Sequence, residues 1–194
     1  MEGNIAWILT SAALVLFMIP GLALFYGGMV RAKNALNMLN MNMWCLGIVP
    51  VVWVLVGLSL SAGESGRSWL GDLSLVGLKG MSDPMDIALF AFGMTFACIT
   101  PALISGAVAD RMKFSAWMIF VPIWTLVVYC SVVYWVYGAD GWIINLPAHD
   151  FAGGTAIHVN AGAAALALAI VLGKRSGWPQ NRPRPPQCPI CHAW

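Results

Sequence analysis

Five long apolar stretches constrain the fold of this chain more than any other feature of its sequence. An α-helix rises about 1.5 Å per residue, so about 20 apolar residues are enough to cross the hydrocarbon core of a bilayer. The sequence therefore predicts an all-α integral membrane protein with five transmembrane helices. The predicted spans cover residues 5–30, 35–61, 86–108, 114–137 and 150–172.

The composition supports a membrane protein and argues against several other classes. Of the 194 residues, 60% are hydrophobic and only 9% are charged, whereas a soluble protein is about 25% charged. No basic stripe with interleaved aromatic residues is present, so nucleic acid is not a predicted partner. The sequence offers no nucleophile–base pair, metal-ligand cluster or phosphate-binding loop, so neither an enzyme nor a cofactor is predicted.

The basic residues indicate how the chain is oriented in the cell membrane. Eight of the ten Lys and Arg residues follow the first, third or fifth stretch, and only Arg67 and Lys79 lie on the other side of an alternating topology. Positive charge is enriched in cytoplasmic segments. The sequence therefore predicts a multi-pass protein with its N-terminus outside and its C-terminus in the cytoplasm. The eight residues are Arg31, Lys33, Arg111, Lys113, Lys174, Arg175, Arg182 and Arg184.

Prolines interrupt the first four stretches but not the fifth. Pro20, Pro50, Pro101 and Pro122 each free a helix carbonyl, which membrane helices tolerate when a neighbour bonds it. The fifth stretch is instead rich in glycine and alanine, and such small residues let other helices approach closely. We therefore expect the fifth helix to lie at the centre of a bundle.

His158 lies in the middle of the fifth stretch, which has no charged residue between Asp150 and Lys174. Helical geometry places the imidazole about 12 Å along the helix from Asp150. Burying a titratable group at that depth is costly, and such residues usually line a substrate path or a polar cavity. The alternative is a structural histidine that bonds to a neighbouring helix. The sequence favours the first interpretation.

Asp150 opens the fifth predicted helix, and two interpretations of it are open. An aspartate in this position caps a helix by accepting hydrogen bonds from backbone N–H groups. A carboxylate held in this way at an external mouth would also favour cations nearby.

Aromatic residues gather near the predicted external ends of the helices. Phe92 and Phe96 are four residues apart and share a helix face. Tyr137 ends the fourth stretch, close to Tyr134, Trp135 and Trp142. The favoured interpretation from composition alone is an interfacial aromatic belt. The alternative is an external cation–π site, in which ring faces replace the water around a small cation.

The cysteines do not indicate a disulfide framework. Cys45, Cys98 and Cys130 lie in apolar stretches, where a thiol behaves as a small hydrophobic group. Cys188, Cys191 and His192 form a C-x-x-C-H pattern, which is typical of haem attachment. We reject haem because this pattern lies in a predicted cytoplasmic tail rich in Pro and Arg. Chelation of a metal by these three groups is a less favoured alternative.

Three segments, in the right order, resemble the ammonium transporter (Amt/Mep/Rh) family. The run from Asp150 to Gly162, DFAGGTAIHVNAG, resembles its signature sequence. The run PGLALFYGGMVR at 20–31 resembles its first helix, and FACIT at 96–100 with ADRMKFS at 109–115 resembles its third and fourth. The resemblance covers about residues 5–178.

The resemblance implies a fold and a function. Members are trimers that move ammonium or ammonia, and each subunit has eleven spans built from two inverted halves of five plus a final helix. By motif position, Phe96 resembles the external phenylalanine gate, with Phe92 beside it, and Tyr137 the tryptophan of the recruitment site. Asp150 resembles the structural aspartate of the vestibule, and His158 the first histidine of the pore pair. A PII-type signal protein is an implied partner.

Two departures from the family pattern carry expectations of their own. Tyrosine at position 137 is a weaker cation–π partner than tryptophan, which predicts weaker external binding. The family pattern also ends after about residue 179, so we expect a membrane domain at 1–178 and an aberrant, disordered cytoplasmic tail at 179–194, the product of truncation or a shifted reading frame. The alternative to transport is therefore a non-transporting fragment, or a membrane partner of full-length subunits.

Overall fold

The computed structural model describes residues 2–64, 67–146 and 149–177. Within these ranges the regular secondary structure is entirely helical, and five helices are long and apolar enough to cross a membrane. They are α1 (Glu2–Met29), α2 (Ala32–Ala62), α3 (Pro84–Val108), α4 (Phe114–Tyr137) and α5 (Gly154–Leu172). The predicted all-α class and the five spans are confirmed. The predicted disordered tail at 179–194 lies outside the described residues.

The start of α5 differs from the prediction. The helix begins at Gly154 and not at Asp150, because Gly153 has a left-handed backbone with φ 78°. His158 therefore lies four residues into the helix instead of eight. Hydropathy does not detect this boundary, since Phe151 and Ala152 are as apolar as the helix that follows them.

The position of α5 in the bundle also differs from the prediction. Among the described helices, α3 is the most buried, while α1 and α5 are the least. Helix α5 packs on α3 through one face, which includes the buried Ala161. Its opposite face is open within the described residues, where Val159, Ile170 and Val171 are all exposed. Small residues permit close approach on every side of α5, but among the described helices only α3 packs along its length, and α4 meets it only near its start.

Two of the interrupted helices contain π-helical turns soon after their prolines. The segment Trp53–Gly57 follows Pro50 in α2, and Thr125–Tyr129 follows Pro122 in α4. A proline removes one backbone donor and pushes away the preceding turn. Local π-type adjustments of this kind accommodate prolines in membrane helices.

The carbonyl freed by Pro122 has a partner on a neighbouring helix. That carbonyl belongs to Met118, and the indole Nε1 of Trp44 in α2 donates to it across 3.3 Å. The Trp44 ring also packs edge-on against Phe114, with 6.4 Å between centroids. For this proline, the expectation that a neighbour bonds the freed carbonyl is confirmed.

Replacing Trp44 by phenylalanine is expected to destabilise the chain by about 1 kcal/mol, since the Met118 carbonyl would lose its donor inside the bundle. For a protein of this size that corresponds to a fall of about 2–4 °C in the unfolding midpoint. Thermal unfolding in detergent measures it. Trp7→Phe is the matched control, because Trp7 is 70% exposed. Equal shifts in the two variants would contradict the assignment.

A polar cluster joins the ends of α1, α2, α3 and α5 at one end of the bundle. Asp110, whose side chain is fully buried, accepts from Asn34 and lies 4.0 Å from the Arg31 guanidinium. Arg31 in turn donates to the Ser176 carbonyl, and Arg111 donates to Ala169 at the end of α5 across 3.2 Å. Three basic residues that the charge pattern places on one side of the membrane, Arg31, Arg111 and Arg175, thus lie at the same end.

At the other end, the described part of the connection between α2 and α3 packs against the end of α4. Trp135 near the end of α4 donates through Nε1 to the Trp69 carbonyl, 2.8 Å away. Asp83 is the N-cap of α3, where its Oδ1 accepts from the Met85 N–H at 2.8 Å. A side-chain carboxylate thus caps the start of the third helix.

Candidate functional site

The Asp150 carboxylate organises the start of α5. Its Oδ1 accepts from the Gly154 N–H at 2.7 Å, and its Oδ2 accepts from Thr155 and Ala156 at 2.8 and 3.0 Å. These are backbone donors that a helix start leaves unpaired. Asp150 therefore performs the predicted capping, although it lies before the N-cap residue Gly153 and not at the first helical position.

The same contacts set the ionisation of Asp150. Partial burial opposes the charged form, but the backbone donors of Ala156, Thr155 and Gly154 outweigh it and hold the pKa of this carboxyl below its usual value. The group is therefore anionic at neutral pH. The positive end of the α5 dipole adds to this preference.

His158 is tied to the turn that Asp150 organises. The His158 backbone N–H donates to the Gly153 carbonyl at 3.0 Å, as does the Ile157 N–H, and this shared acceptor begins the π-helical segment Gly154–Val159. A Cβ at position 153 would collide with the Ile157 side chain, and the positive φ there also favours glycine. The imidazole itself is exposed within the described residues. Its backbone is held in place while its side chain projects from the open face of α5.

Tyr137 lies beside Asp150. The Tyr137 hydroxyl lies close to the Asp150 carboxylate and to the Gly153 backbone, while 46% of the residue is exposed. This contact links the last turn of α4 to the first turn of α5. The structure thus brings together two residues that the sequence separates by a loop.

Phe92 and Phe96 form a second aromatic element on α3. Their ring centroids are 4.9 Å apart and the rings are nearly perpendicular, with an interplanar angle of 78°. Both side chains are half-buried, and this edge-to-face arrangement is favourable for aromatic pairs. The shared helix face expected from their spacing is confirmed by the ring contact.

Other candidate residues are either structural or outside the described part of the chain. Among residues 2–64, 67–146 and 149–177, no group of three or more His, Cys, Asp or Glu side chains is placed to hold a metal ion. Cys188, Cys191 and His192 lie outside these ranges.

One residue that the sequence analysis did not single out, Trp53, is buried at the start of a π-helical segment. A tryptophan within an apolar run carries no signal that separates it from lipid-facing residues.

Comparison with known proteins gives one consistent family. The profile of the Ammonium Transporter Family matches residues 6–189, beyond the point near residue 179 where the motifs end. The chain is 49% identical to an ammonium transporter of Mycobacterium tuberculosis, with 97% of this chain and 46% of the relative aligned. It is 46% identical to an ammonium transporter of Bacillus subtilis, covering 93% of this chain and 46% of the relative. The chain thus spans about half the length of these relatives.

Solved structures show the same fold. The crystal structure of Candida albicans Mep2 superimposes with a TM-score of 0.84 at 36% identity, covering 90% of this chain and 40% of that one. A structure described as a sensor Amt protein gives a TM-score of 0.86 at 25% identity, covering 95% and 49%. The helix arrangement described above therefore corresponds to the first part of both larger structures.

Proposed function

This chain belongs to the ammonium transporter family, and we propose that it supplies the first half of a transmembrane path for ammonium or ammonia. It is a multi-pass membrane protein whose five helices have the fold of that family's first repeat. In this proposal the path enters between the external ends of α3, α4 and α5. Inverted repeats of this kind place the substrate path between the two halves.

The observation that carries the proposal is the double role of Asp150. Its carboxylate faces the Tyr137 hydroxyl on one side and holds the backbone of the His158 segment on the other. Three backbone donors occupy its oxygens, so Asp150 acts by positioning these residues and by its charge, and not as a direct ligand. A negative charge at the mouth raises the local concentration of ammonium.

In this proposal the aromatic residues bind the cation at the entrance and exclude it from the path beyond. The half-exposed Tyr137 ring offers a face to a small cation. The paired rings of Phe92 and Phe96 form an apolar constriction, which a neutral molecule crosses far more easily than a bare cation. Beyond them, a neutral His158 imidazole has one donor and one acceptor for ammonia or a relayed proton.

A second candidate function rests on the open face of α5. His158 and Val159 are exposed within the described residues, so this part of the chain does not enclose a path by itself. That observation favours a non-transporting fragment, or a partner that pairs with other subunits. The two candidates differ in whether the chain supports uptake once its open face is covered.

We expect the 194-residue chain alone to give no ammonium-dependent growth in a host that lacks ammonium transporters. We expect growth when it is co-expressed with the C-terminal part of the Bacillus subtilis relative that the chain does not match, because that part would cover α5. Uptake of radiolabelled methylammonium measures the activity. We call the 194-residue chain together with this C-terminal part the two-half assembly.

Each outcome separates the candidates. Uptake by the chain alone would show that it encloses a path without a second half. That result would overturn the proposal that it supplies only the first half of the path. Stable co-purification of the two parts without uptake would support the non-transporting partner. The C-terminal part expressed alone is the matched control.

The proposal also includes the oligomeric state, the orientation in the membrane and a signalling partner. The intact assembly is a homotrimer, and the end of the bundle that carries Arg31, Arg111 and Arg175 faces the cytoplasm, with the N-terminus outside. A PII-type signal protein would act from that side. The structural relative described as a sensor Amt protein supports a signalling role within the family.

A further inference from the structure

A buried hydrogen-bond donor with no acceptor lies inside the bundle at Trp53. Only 3% of this residue is exposed, and its indole Nε1 has no hydrogen-bond partner among the described residues. Leaving a buried donor unpaired costs about 1–3 kcal/mol. Trp117, which is also buried in the same core, instead donates through Nε1 to the Met41 carbonyl at 2.9 Å. The unpaired donor of Trp53 therefore calls for a physical explanation.

The Trp53 ring lies against the helix that carries the phenylalanine pair. A Cβ built on Gly93 would be 3.3 Å from Cζ2 of Trp53, so the absence of a side chain at position 93 leaves room for the indole. Cζ2 and Nε1 are both bonded to the same ring carbon, which places the donor beside this contact. Gly93 follows Phe92 directly and lies one turn before Phe96. The donor is therefore next to the proposed apolar constriction.

Two π-helical segments meet at the same place. Trp53 begins one of them and Tyr129 ends the other, and their rings are in contact with centroids 6.3 Å apart. π-Helical turns inside longer helices occur frequently at functional sites. The local backbone is thus irregular in two helices around the ring that carries this unpaired donor.

We infer that Trp53 determines specificity beside Phe92 and Phe96 by donating a hydrogen bond from Nε1 to neutral ammonia. Ammonia has a lone pair that accepts this bond. Ammonium has no lone pair and presents only N–H groups, which the positive end of the indole N–H dipole repels. This inference rests on the proposed function, since it assigns Trp53 to the same path. It adds the place along that path where ammonia is preferred over ammonium.

The first test observes the indole N–H groups directly. The 194-residue chain, labelled with ¹⁵N at the tryptophan indoles, is placed in lipid nanodiscs and titrated with ammonium chloride against sodium chloride. Trp53→Phe identifies the Trp53 resonance by its loss. We expect a saturable shift of that resonance at alkaline pH, where ammonia is abundant, and none at acidic pH. The Trp117 resonance is the internal control, because its donor is already bonded, and it should stay fixed.

If the Trp117 resonance keeps its position but the Trp53 resonance does not respond to ammonia, the inference is overturned. The acceptor of the Trp53 donor would then be water. A shift that follows ammonium at acidic pH would overturn it as well. The measurement needs no transport, so it decides on Trp53 even if no combination of halves takes up ammonium.

The second test uses the two-half assembly, which covers the open face of α5. Trp53→Phe keeps an aromatic ring but removes the donor, and a hydrogen bond of this kind corresponds to about a two- to tenfold effect. We expect the maximal uptake rate to fall by that factor while the half-saturating concentration stays unchanged, since Tyr137 is untouched. An unchanged maximal rate, or a change in half-saturation alone, would contradict the assignment. Trp44→Phe serves as the control for a general loss of stability.

Discussion

His158→Ala in the two-half assembly is expected to lower ammonium uptake by at least about tenfold, which corresponds to about 1.4 kcal/mol in the barrier. The imidazole projects from the open face of α5 while its backbone is fixed to Gly153. Alanine leaves that backbone in place but removes the polar group that we place along the path. Initial rates of methylammonium uptake, normalised to the amount of assembly in the membrane, measure the effect.

A matched histidine and a matched polar side chain sharpen this prediction. His149, which is exposed in the loop before α5, is the control, and His149→Ala should leave uptake unchanged. His158→Gln keeps one donor and one acceptor but does not titrate. If glutamine supports uptake, His158 acts through hydrogen bonds alone; if it does not, protonation of the imidazole is required. Full activity of His158→Ala would remove this residue from the path.

Asp150→Ala is expected to destabilise the chain by about 2 kcal/mol, at the upper end of the effect of losing a helix cap, because three backbone N–H groups lose their acceptor. We also expect uptake to fall in the two-half assembly, since both the Tyr137 contact and the turn that holds His158 depend on this carboxylate. Thermal unfolding in detergent and uptake rates measure the two effects. Asp150→Asn keeps an acceptor and should lose less stability.

The sign of the pH dependence follows from the lowered pKa of Asp150. The carboxylate contributes stability above the pKa of an unfolded aspartate, about 3.9, and loses it as the pH falls through the lower folded value. The difference in unfolding midpoint between wild type and Asp150→Ala should therefore shrink in acid. Asp86→Ala is the control, as Asp86 is an exposed carboxylate in the first turn of α3. An equal loss in both variants would contradict the capping role.

Much of the fold could be predicted because the bilayer imposes simple rules. Backbone polar groups inside it need hydrogen-bond partners, and a long apolar stretch satisfies nearly all of its own as a helix. The five spans follow from that rule, and the cap at Asp150 follows from the short reach of an aspartate to nearby N–H groups. The site residues Phe92, Phe96, Tyr137, Asp150 and His158 were selected from sequence. Their functional roles stay predictions.

The remaining features depend on contacts between residues far apart in the chain. The sequence by itself determined the helices, their number and their local caps, since these rest on hydropathy and on interactions within a few residues. Only the tertiary structure decided that α3 and not α5 is the most buried helix, that Trp44 bonds the carbonyl freed by Pro122, and that Trp53 lies against Gly93. An apolar side chain has the same hydropathy whether it faces lipid or a neighbouring helix. Only the packing of one helix on another distinguishes the two positions.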